Sequence, residues 1–305
     1  MIKNNWLEEM FTSEEKHSYK IKDILINTKT AFQKVMLLEM ETYKKTLVLD
    51  GEVQSTELDE YIYHESIVHP AMLLHPNPKR VLILGGGEGA TLREVLKYKS
   101  LEEVVMVDID GEVVDFCRKY LQIFHQGSFD DPRATLVIND AKDYLANHDA
   151  KFDVIISDLC CPIEGSPSCF LYTIEFYQIL KKHLTEKGVL LVQSGPGDIP
   201  GFKVFSSINA TLKEVFAKVI PFSSYVPSFI IPWGFNIAVN DASQDILAFS
   251  DNIEVFLGEK LIVDNLKYYD SGAHLRMFSM PKHLRNILAN EVNIITDKNP
   301  CFLFK

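Results

Sequence analysis

The sequence predicts an α/β protein in which a small N-terminal β domain precedes a Rossmann-like, mostly parallel sheet of seven strands. After residue 78, short apolar runs alternate with segments of helical spacing, as expected for parallel strands joined by crossover helices. A glycine-rich turn follows the first of these runs, where such sheets bind their ligands. The segment before residue 59 instead shows short strands separated by turns.

The N-terminal domain is predicted to contain strands over 19–27, 31–40, 46–49 and 52–56. Asp50-Gly51 lies between the last two, and this dipeptide favours a tight hairpin turn. A helix is predicted over 59–74, and it ends at His75-Pro76-Asn77-Pro78 because proline interrupts helical hydrogen bonding. We divide the chain into an N-terminal β-strand and hairpin domain, 1–68, and a Rossmann-like domain, 69–305.

The second domain is predicted to alternate strands and helices. Its parallel strands are expected over 80–84, 103–107, 135–138, 152–157 and 188–193. Its helices are expected over 91–98, 111–120, 143–146, 173–183 and 205–216. Two further strands, 218–226 and 234–240, lie so close in sequence that they predict an antiparallel hairpin at one edge of the sheet.

Composition excludes several classes of protein. The 305 residues, 47% of them hydrophobic, are enough for about two domains with a sizeable core. The 31 Lys and Arg against 42 Asp and Glu give a net charge of −11, which disfavours nucleic-acid partners because these are bound by neutralising phosphates. No apolar run reaches the roughly 18 residues of a membrane span, and the N-terminus lacks the apolar core of a signal peptide, so no membrane partner is expected.

The five cysteines predict a reducing, cytoplasmic location. Their number is odd, and no Cys-x-x-Cys pair occurs with the histidine spacing of a zinc site, so we expect no metal. The adjacent Cys160 and Cys161 are interpreted as structural residues, since no basic residue lies within several positions to lower the pKa of a thiol.

A glycine-rich turn, Gly85-Gly86-Gly87-Glu88-Gly89, joins the first strand of the second domain to its first helix. Glycine lets a ligand approach the backbone closely. Asp108 follows about 20 residues later at the end of the next strand, where a carboxylate can bind ribose hydroxyls. The combination predicts an adenosine-type ligand, and it fits both a dinucleotide and a sulfonium nucleoside.

Acidic residues fall at the carboxyl ends of the predicted parallel strands, where such sheets bind ligands. They are Glu88, Asp108, Asp140 and Asp158. Together they would repel a pyrophosphate and attract a cationic ligand. Glu88 would also repel the α-carboxylate of an ordinary methyl donor, whereas a donor without that carboxylate would form an ion pair through its terminal ammonium.

The chain resembles the polyamine aminopropyltransferase family over nearly its whole length. The motifs that carry the resemblance are the glycine-rich turn, Phe32-Gln33, 47–54, 59–65, 130–133 and 188–193. The chain is similar in particular to thermospermine synthases through 108–110, 158–159, 162–165, 171–173, 226–228 and 233–234. The resemblance implies transfer of an aminopropyl group from decarboxylated S-adenosylmethionine to putrescine or spermidine, with release of methylthioadenosine and without a prosthetic group.

The resemblance also implies roles for individual residues. It implies that the nucleoside is held by Gln33, Gly85, Gly87, Glu88, Asp108, Ile109, Asp140 and Ala141. It implies that the acceptor is bound by Tyr63, His64, Asp158, Cys161, Gln193 and Tyr225. Asp158 would take the proton of the attacking amine or orient that amine, with Tyr63 beside it. The loop 160–172 would close over the substrates, and a homodimer or homotetramer is expected.

One motif departs from the family's pattern. Where the family has Asp-x-x-Asp-Pro, this chain has Asp158-Leu159-Cys160-Cys161-Pro162. Loss of the second acid implies that Glu164 compensates, that the acceptor differs or that activity is weak. Two alternatives therefore stay open. One is an S-adenosylmethionine-dependent methyltransferase on the same methyltransferase-like sheet, and the other is a non-catalytic nucleoside-binding paralogue.

Other residues receive structural interpretations. Trp233 is expected to pack in the closing hairpin, and Asp110 and Asp131 are expected to cap helices. The acidic segment 8–15 is expected to be a solvated helix face. The alternative for this segment is that one of its acids reaches the far ammonium of an acceptor.

Overall fold

The N-terminal part of the chain forms an antiparallel sheet, as predicted. The computed structural model describes residues 2–3, 5–12, 14–263 and 265–303. The strands of this sheet follow sequence order and are β1 (Ile2–Lys3), β2 (Trp6–Met10), β3 (Lys16–Lys29), β4 (Lys34–Met40), β5 (Lys44–Leu49) and β6 (Glu52–Thr56). Leu49 pairs with Glu52 across the turn at Asp50-Gly51, which confirms the predicted hairpin.

The helix interpretation of segment 8–15 is wrong, because β2 runs through its first residues. β2 pairs antiparallel with β3, and Leu7 lies opposite Tyr19. Leu7 is completely buried, so one face of this strand is turned to the core. Because alternate side chains of a strand share a face, Glu9 lies on the same face as Leu7.

Helix α1 (Glu60–Leu74) follows the sheet and carries two predicted site residues, Tyr63 and His64. It is buried on nearly all sides, since it contacts three strands of the second sheet and the helix that comes after it. Apolar residues such as Ile67 and Val68 hold it in the largest hydrophobic cluster. This packing fixes the position of Tyr63 and His64 relative to the second sheet.

The second sheet has a parallel centre and an antiparallel edge, which confirms the Rossmann-like prediction. Its strands are β7 (Arg80–Gly85), β8 (Glu103–Asp108), β9 (Ala134–Ile138), β10 (Phe152–Asp158), β11 (Leu184–Pro196), β12 (Lys218–Tyr225) and β13 (Pro232–Val239). Their order across the sheet is β12-β13-β11-β10-β7-β8-β9. Strands β11 to β9 in this order are parallel, and β12 and β13 form the predicted antiparallel hairpin.

Helices cover the second sheet on both faces. They are α2 (Ala90–Leu96), α3 (Gly111–Tyr120), α4 (Gln122–His125), α5 (Ala141–Ala146), α6 (Ile174–His183), α7 (Phe202–Val215), α8 (Ile253–Lys260), α9 (Ser271–Phe278) and α10 (Lys282–Asn290). Along β7, Val81 and Ile83 join one hydrophobic cluster while Leu82 and Leu84 join another. The sheet is therefore buried on both sides. Within the described residues, each helix is too short or too polar to cross a membrane.

Candidate active site

The glycine-rich turn after β7 lies against the end of β10. Gly86 N donates a hydrogen bond of 3.1 Å to the carbonyl oxygen of Asp158. Gly85 has φ +80°, and a Cβ at this position would lie 2.3 Å from the same carbonyl oxygen. Only glycine fits this close approach. The turn and Asp158 therefore form one unit at the carboxyl ends of adjacent strands.

The carboxylate of Asp158 accepts hydrogen bonds on both oxygens. Tyr63 donates its hydroxyl to Oδ1 at 2.6 Å, and Thr91 donates its hydroxyl to Oδ2 at 2.6 Å. Burial raises the pKa of Asp158, while the charge of His64 opposes that shift. The structure thus orients Asp158 through α1 and α2 and makes it a stronger base than an exposed aspartate.

His64 lies between two carboxylates. Its Nδ1 is 2.7 Å from Glu60 Oε2, and its Nε2 is 2.7 Å from Glu88 Oε1. Burial opposes its protonation, yet the hydrogen bonds to Glu60 and Glu88 raise its pKa to about 10. Arg93 completes the cluster through two 3.0 Å hydrogen bonds to Glu60. His64 is therefore an imidazolium that pairs with both carboxylates and holds the side chain of Glu88 in place.

The structure places His64 behind Glu88. Its side chain is 1% exposed, and it is not among the residues that line the two cavities of the site. It reaches the lining of the first cavity through its contact with Glu88. The implied role of His64 in acceptor binding stays a prediction.

A first cavity opens beside the glycine-rich turn, and every residue implied to hold the nucleoside lines it. Those residues are Gln33, Gly85, Gly87, Glu88, Asp108, Ile109, Asp140 and Ala141. The structure therefore brings together residues from β7, β8 and the starts of two helices with Gln33 from the N-terminal sheet. A continuous surface for an adenosine-type ligand results.

Asp108 and Asp110 organise this cavity together. Burial raises the pKa of Asp108 to about 6, and its Oδ1 accepts a 2.8 Å hydrogen bond from Asp110 N. Asp110 caps α3 through Val113 N, as predicted. Its other oxygen accepts from Gln33 Nε2 at 3.0 Å, which the sequence analysis missed. Asp110 thereby fixes Gln33, a residue of the other domain, at the cavity wall.

The helix-cap interpretation of Asp131 is wrong. Asp131 follows a short 3-10 segment, Ser128–Asp130, and leads into strand β9. Its Oδ1 accepts hydrogen bonds from Arg133 N and Arg133 Nε at 2.9 and 3.0 Å. Asp131 therefore stabilises a turn through an ion pair with Arg133.

A second cavity adjoins the first at Tyr63. The residues that line both are Glu52, Gln54, Tyr63, Leu159, Cys160 and Cys161. The second cavity adds Gln193 from β11, aromatic walls from Phe229 and Trp233, and Glu9 from β2. Sequence pattern alone does not single out Glu52 or Gln54 as site residues. Glu9 of the acidic segment 8–15, for which contact with an acceptor is only an alternative, lies in the cavity lining.

Trp233 does more than pack. Its Nε1 donates a 3.1 Å hydrogen bond to Gln193 Oε1, and its ring lines the second cavity. Trp233 also packs against Phe229, with ring centroids 4.8 Å apart, as expected for the closing hairpin. Register explains the contact with Gln193, because β13 runs antiparallel to β11 and brings Trp233 to the end of that strand.

Tyr225 and Glu164 are not brought to either cavity. Tyr225 is the last residue of β12 and is 42% exposed, whereas its neighbour Ser224 is buried. Alternation along the strand turns the Tyr225 ring away from the site. Glu164 lies exposed on the loop after β10 and does not line either cavity, so it does not replace the missing acid.

Cys161 is buried, and its Sγ lies 4.0 Å from Gln193 Oε1. Burial and the nearby carboxyl group of Glu52 raise the pKa of its thiol well above the ordinary value. The thiol therefore stays protonated and neutral. The loop that follows, residues 160–172, covers the first cavity through Ile163, Ser168 and Leu171.

The comparisons with known proteins agree with this geometry. Residues 60–246 match the family described as Spermine/spermidine synthase domain, and residues 5–57 match the Spermidine synthase tetramerisation domain. The chain is 43% identical over 300 residues to the polyamine aminopropyltransferase of Sulfurisphaera tokodaii, covering 98% of each chain. It is 42% identical over 301 residues to the polyamine aminopropyltransferase of Synechococcus sp. strain JA-3-3Ab, covering 97% of this chain and 96% of that one.

Solved structures show the same fold. A spermidine synthase in complex with the transition-state analogue AdoDATO matches with a TM-score of 0.85 at 31% identity, covering 95% of this chain and 97% of that one. The spermidine synthase of Thermotoga maritima matches with a TM-score of 0.83 at 30% identity, covering 95% and 96%. The chain therefore belongs to the spermine/spermidine synthase family, and it is an aminopropyltransferase.

Proposed function

We propose that the protein transfers the aminopropyl group of decarboxylated S-adenosylmethionine to putrescine or spermidine and releases methylthioadenosine. The position of Glu88 carries this proposal, since it lines the first cavity while His64 holds its Oε1. A donor with an α-carboxylate would be repelled there, whereas the ammonium of the decarboxylated donor would pair with Glu88.

The first cavity supports binding of the donor's nucleoside. Asp108 lies at the end of β8, where a carboxylate can accept hydrogen bonds from the ribose hydroxyls. Ile109 and Ala141 offer apolar surface to the adenine, and Gln33 closes the cavity from the N-terminal sheet. The complex of a similar spermidine synthase with AdoDATO supports this placement.

The proposed reaction is a direct displacement next to Asp158. The lone pair of the acceptor's neutral amine forms a bond to the carbon of the aminopropyl group that is attached to the sulfonium sulfur. The carbon–sulfur bond breaks, and its electron pair leaves with sulfur as a neutral thioether. Asp158 accepts the proton that the amine loses, while Tyr63 and Thr91 keep the carboxylate aligned.

The second cavity supports binding of the acceptor. Tyr63 stands where the two cavities meet, and Phe229 and Trp233 provide aromatic surface for a methylene chain. Gln193 adds a polar group to the lining of this cavity. A linear amine lying in this cavity would present one end to the donor.

We further propose that the protein assembles as a homodimer or homotetramer through its N-terminal domain, 1–68. The match of residues 5–57 to a tetramerisation domain supports this proposal. Light scattering coupled to size exclusion measures the mass directly. A monomer at micromolar concentration would contradict it.

The proposed activity is tested with purified protein and a panel of putrescine, cadaverine, norspermidine and spermidine. We expect methylthioadenosine to be released from decarboxylated S-adenosylmethionine with putrescine or spermidine, and not from S-adenosylmethionine. Chromatography measures the nucleoside and the amine product. Methyl transfer from S-adenosylmethionine, or donor binding without release of methylthioadenosine for any amine, would overturn the proposal.

A further inference from the structure

Glu52 presents an unpaired carboxylate oxygen between the two cavities. It is the first residue of β6 and lines both of them. Its Oε1 is buried, and among the described residues no donor reaches it. A buried carboxylate without a partner is costly, so the side chain is poised for a cationic or hydrogen-bonding ligand.

β6 faces the segment in which this chain lacks an acid. Glu52 and Gln54 of this strand both line the two cavities. Gln54 Oε1 accepts a 3.6 Å contact from the thiol of Cys160. Cys160 and Cys161 line the same two cavities as Glu52. This chain therefore has an acid, Glu52, in the lining that Cys161 shares.

Glu9 adds a second carboxyl group to the same cavity. Its Oε1 accepts a 3.0 Å hydrogen bond from Val53 N, which fixes Glu9 beside β6. The described lining of the second cavity contains no lysine or arginine, and His17 is its only basic side chain. With aromatic walls from Phe229 and Trp233, this environment suits an alkylammonium.

We propose that Glu52, with Glu9 beside it, binds a distal ammonium of the acceptor from the N-terminal sheet and supplies the acidic contact that Cys161 does not. This inference rests on the proposed function, because it assigns the acceptor's second charged end to the second cavity. The ligand class is a linear diamine or longer polyamine. A monoamine of the same length lacks the group that Glu52 recognises.

The test compares Glu52→Gln with Glu41→Gln, a matched control on an exposed turn of the same sheet. We expect Glu52→Gln to raise the KM for putrescine and spermidine about 10-fold to 100-fold, as for loss of a charged hydrogen bond, with kcat and the KM of the donor within about 3-fold. Butylamine, which has no distal ammonium, should react equally poorly with both variants. An unchanged KM for the polyamines, or an equal rise for butylamine, would overturn the inference.

A swap experiment separates binding from folding. Adding Cys161→Asp to Glu52→Gln should restore the KM for spermidine to within about 5-fold of the wild type, since a carboxylate returns to the same cavity. Glu9→Gln keeps an oxygen for Val53 N and serves as an independent variant, with a rise in KM in the same direction. If Cys161→Asp does not restore the KM and Glu9→Gln does not raise it, the proposed site is contradicted.

Calorimetry distinguishes this inference from the proposed reaction. Spermidine is titrated into wild type and Glu52→Gln, each saturated with methylthioadenosine. If the wild type releases no methylthioadenosine in turnover but binds spermidine more tightly than the variant does, the reaction is wrong and the ammonium site stands. Equal binding by the two proteins would overturn the site.

Discussion

His64 Nε2 and Glu88 Oε1 lie 2.7 Å apart, at the point where helix α1 meets the glycine-rich turn. Glu60, one helical turn before His64, holds the other ring nitrogen. A single imidazolium therefore separates two buried carboxylates. Among the described residues, removing it would leave Glu60 paired with Arg93 and Glu88 without an ion-pair partner.

His64→Gln should destabilise the protein. Breaking a buried ion pair by removing one partner typically costs about 3 to 5 kcal/mol, so we expect a loss of about 3 kcal/mol in the free energy of unfolding at pH 7. The folded pKa of His64 is about 10, above its unfolded value of about 6.5. Its stabilisation is therefore complete below pH 6.5 and is lost as pH rises toward 10.

Urea unfolding of the wild type and His64→Gln between pH 6 and 9.5 measures this difference. Arg93 and Asp158 also face the cluster and remain in both proteins. The difference in the free energy of unfolding between the wild type and His64→Gln should therefore decrease as pH rises. Parallel curves would show that His64 is not an imidazolium in the folded protein.

Asp158→Asn should lower kcat at least about 100-fold, because the amide cannot take the proton of the attacking amine. Both oxygens of Asp158 accept hydrogen bonds, so the asparagine keeps the shape but loses one of these bonds. Methylthioadenosine affinity should stay within about 3-fold, measured by calorimetry. Single-turnover kinetics at the wild-type rate would remove Asp158 from the reaction.

Glu88→Gln should weaken the preference for the decarboxylated donor. The amide removes the charge that attracts the donor's ammonium and repels an α-carboxylate. We expect the ratio of dissociation constants for S-adenosylmethionine and its decarboxylated form to fall at least about 10-fold. Asp143→Asn, an exposed change on α5, is the control. A ratio equal to that of the control would show that Glu88 does not select the donor.

Acceptor binding should tighten as pH rises from 6.5 to 8.5. Burial raises the pKa of Glu9 to about 7 and that of Glu52 to about 8, and Glu9 and Asp50 add to the shift at Glu52. Both acids bind more protons in the folded than in the unfolded protein. The free energy of unfolding that they contribute therefore falls as pH rises from about 4.5 through about 8. An ammonium needs them ionised, and its binding releases the protons.

The KM of spermidine, measured across this pH range in wild type and Glu52→Gln, checks the expectation. The other titratable groups that face this cavity are His17, Tyr63, Cys160 and Cys161. These groups are present in both proteins. The spermidine amines also titrate in the same way in both measurements, so these contributions cancel in the comparison. The KM of Glu52→Gln divided by the KM of the wild type should therefore rise with pH. A constant ratio would contradict a role for the Glu52 carboxylate.

Local pattern was sufficient for much of the fold. The hairpin at Asp50-Gly51 and the glycine-rich turn at 85–89 depend on backbone conformations that few residues adopt. Helix α3 was predicted with its bounds because its cap and its apolar spacing lie within ten residues. The short strand β2 was missed, since its burial comes from pairing with β3 and not from its own apolar content.

Local sequence was enough to predict the α/β class, the glycine-rich turn and the acids at strand ends, because each depends on neighbours along the chain. Tertiary structure alone decided that His64 stands behind Glu88, that Trp233 reaches Gln193 and that Tyr225 points away. It also placed Glu52 and Cys161 in the lining of the same cavity. These outcomes depend on which strands pair and how helix α1 packs, and such contacts join residues too far apart in sequence for any local pattern to record them.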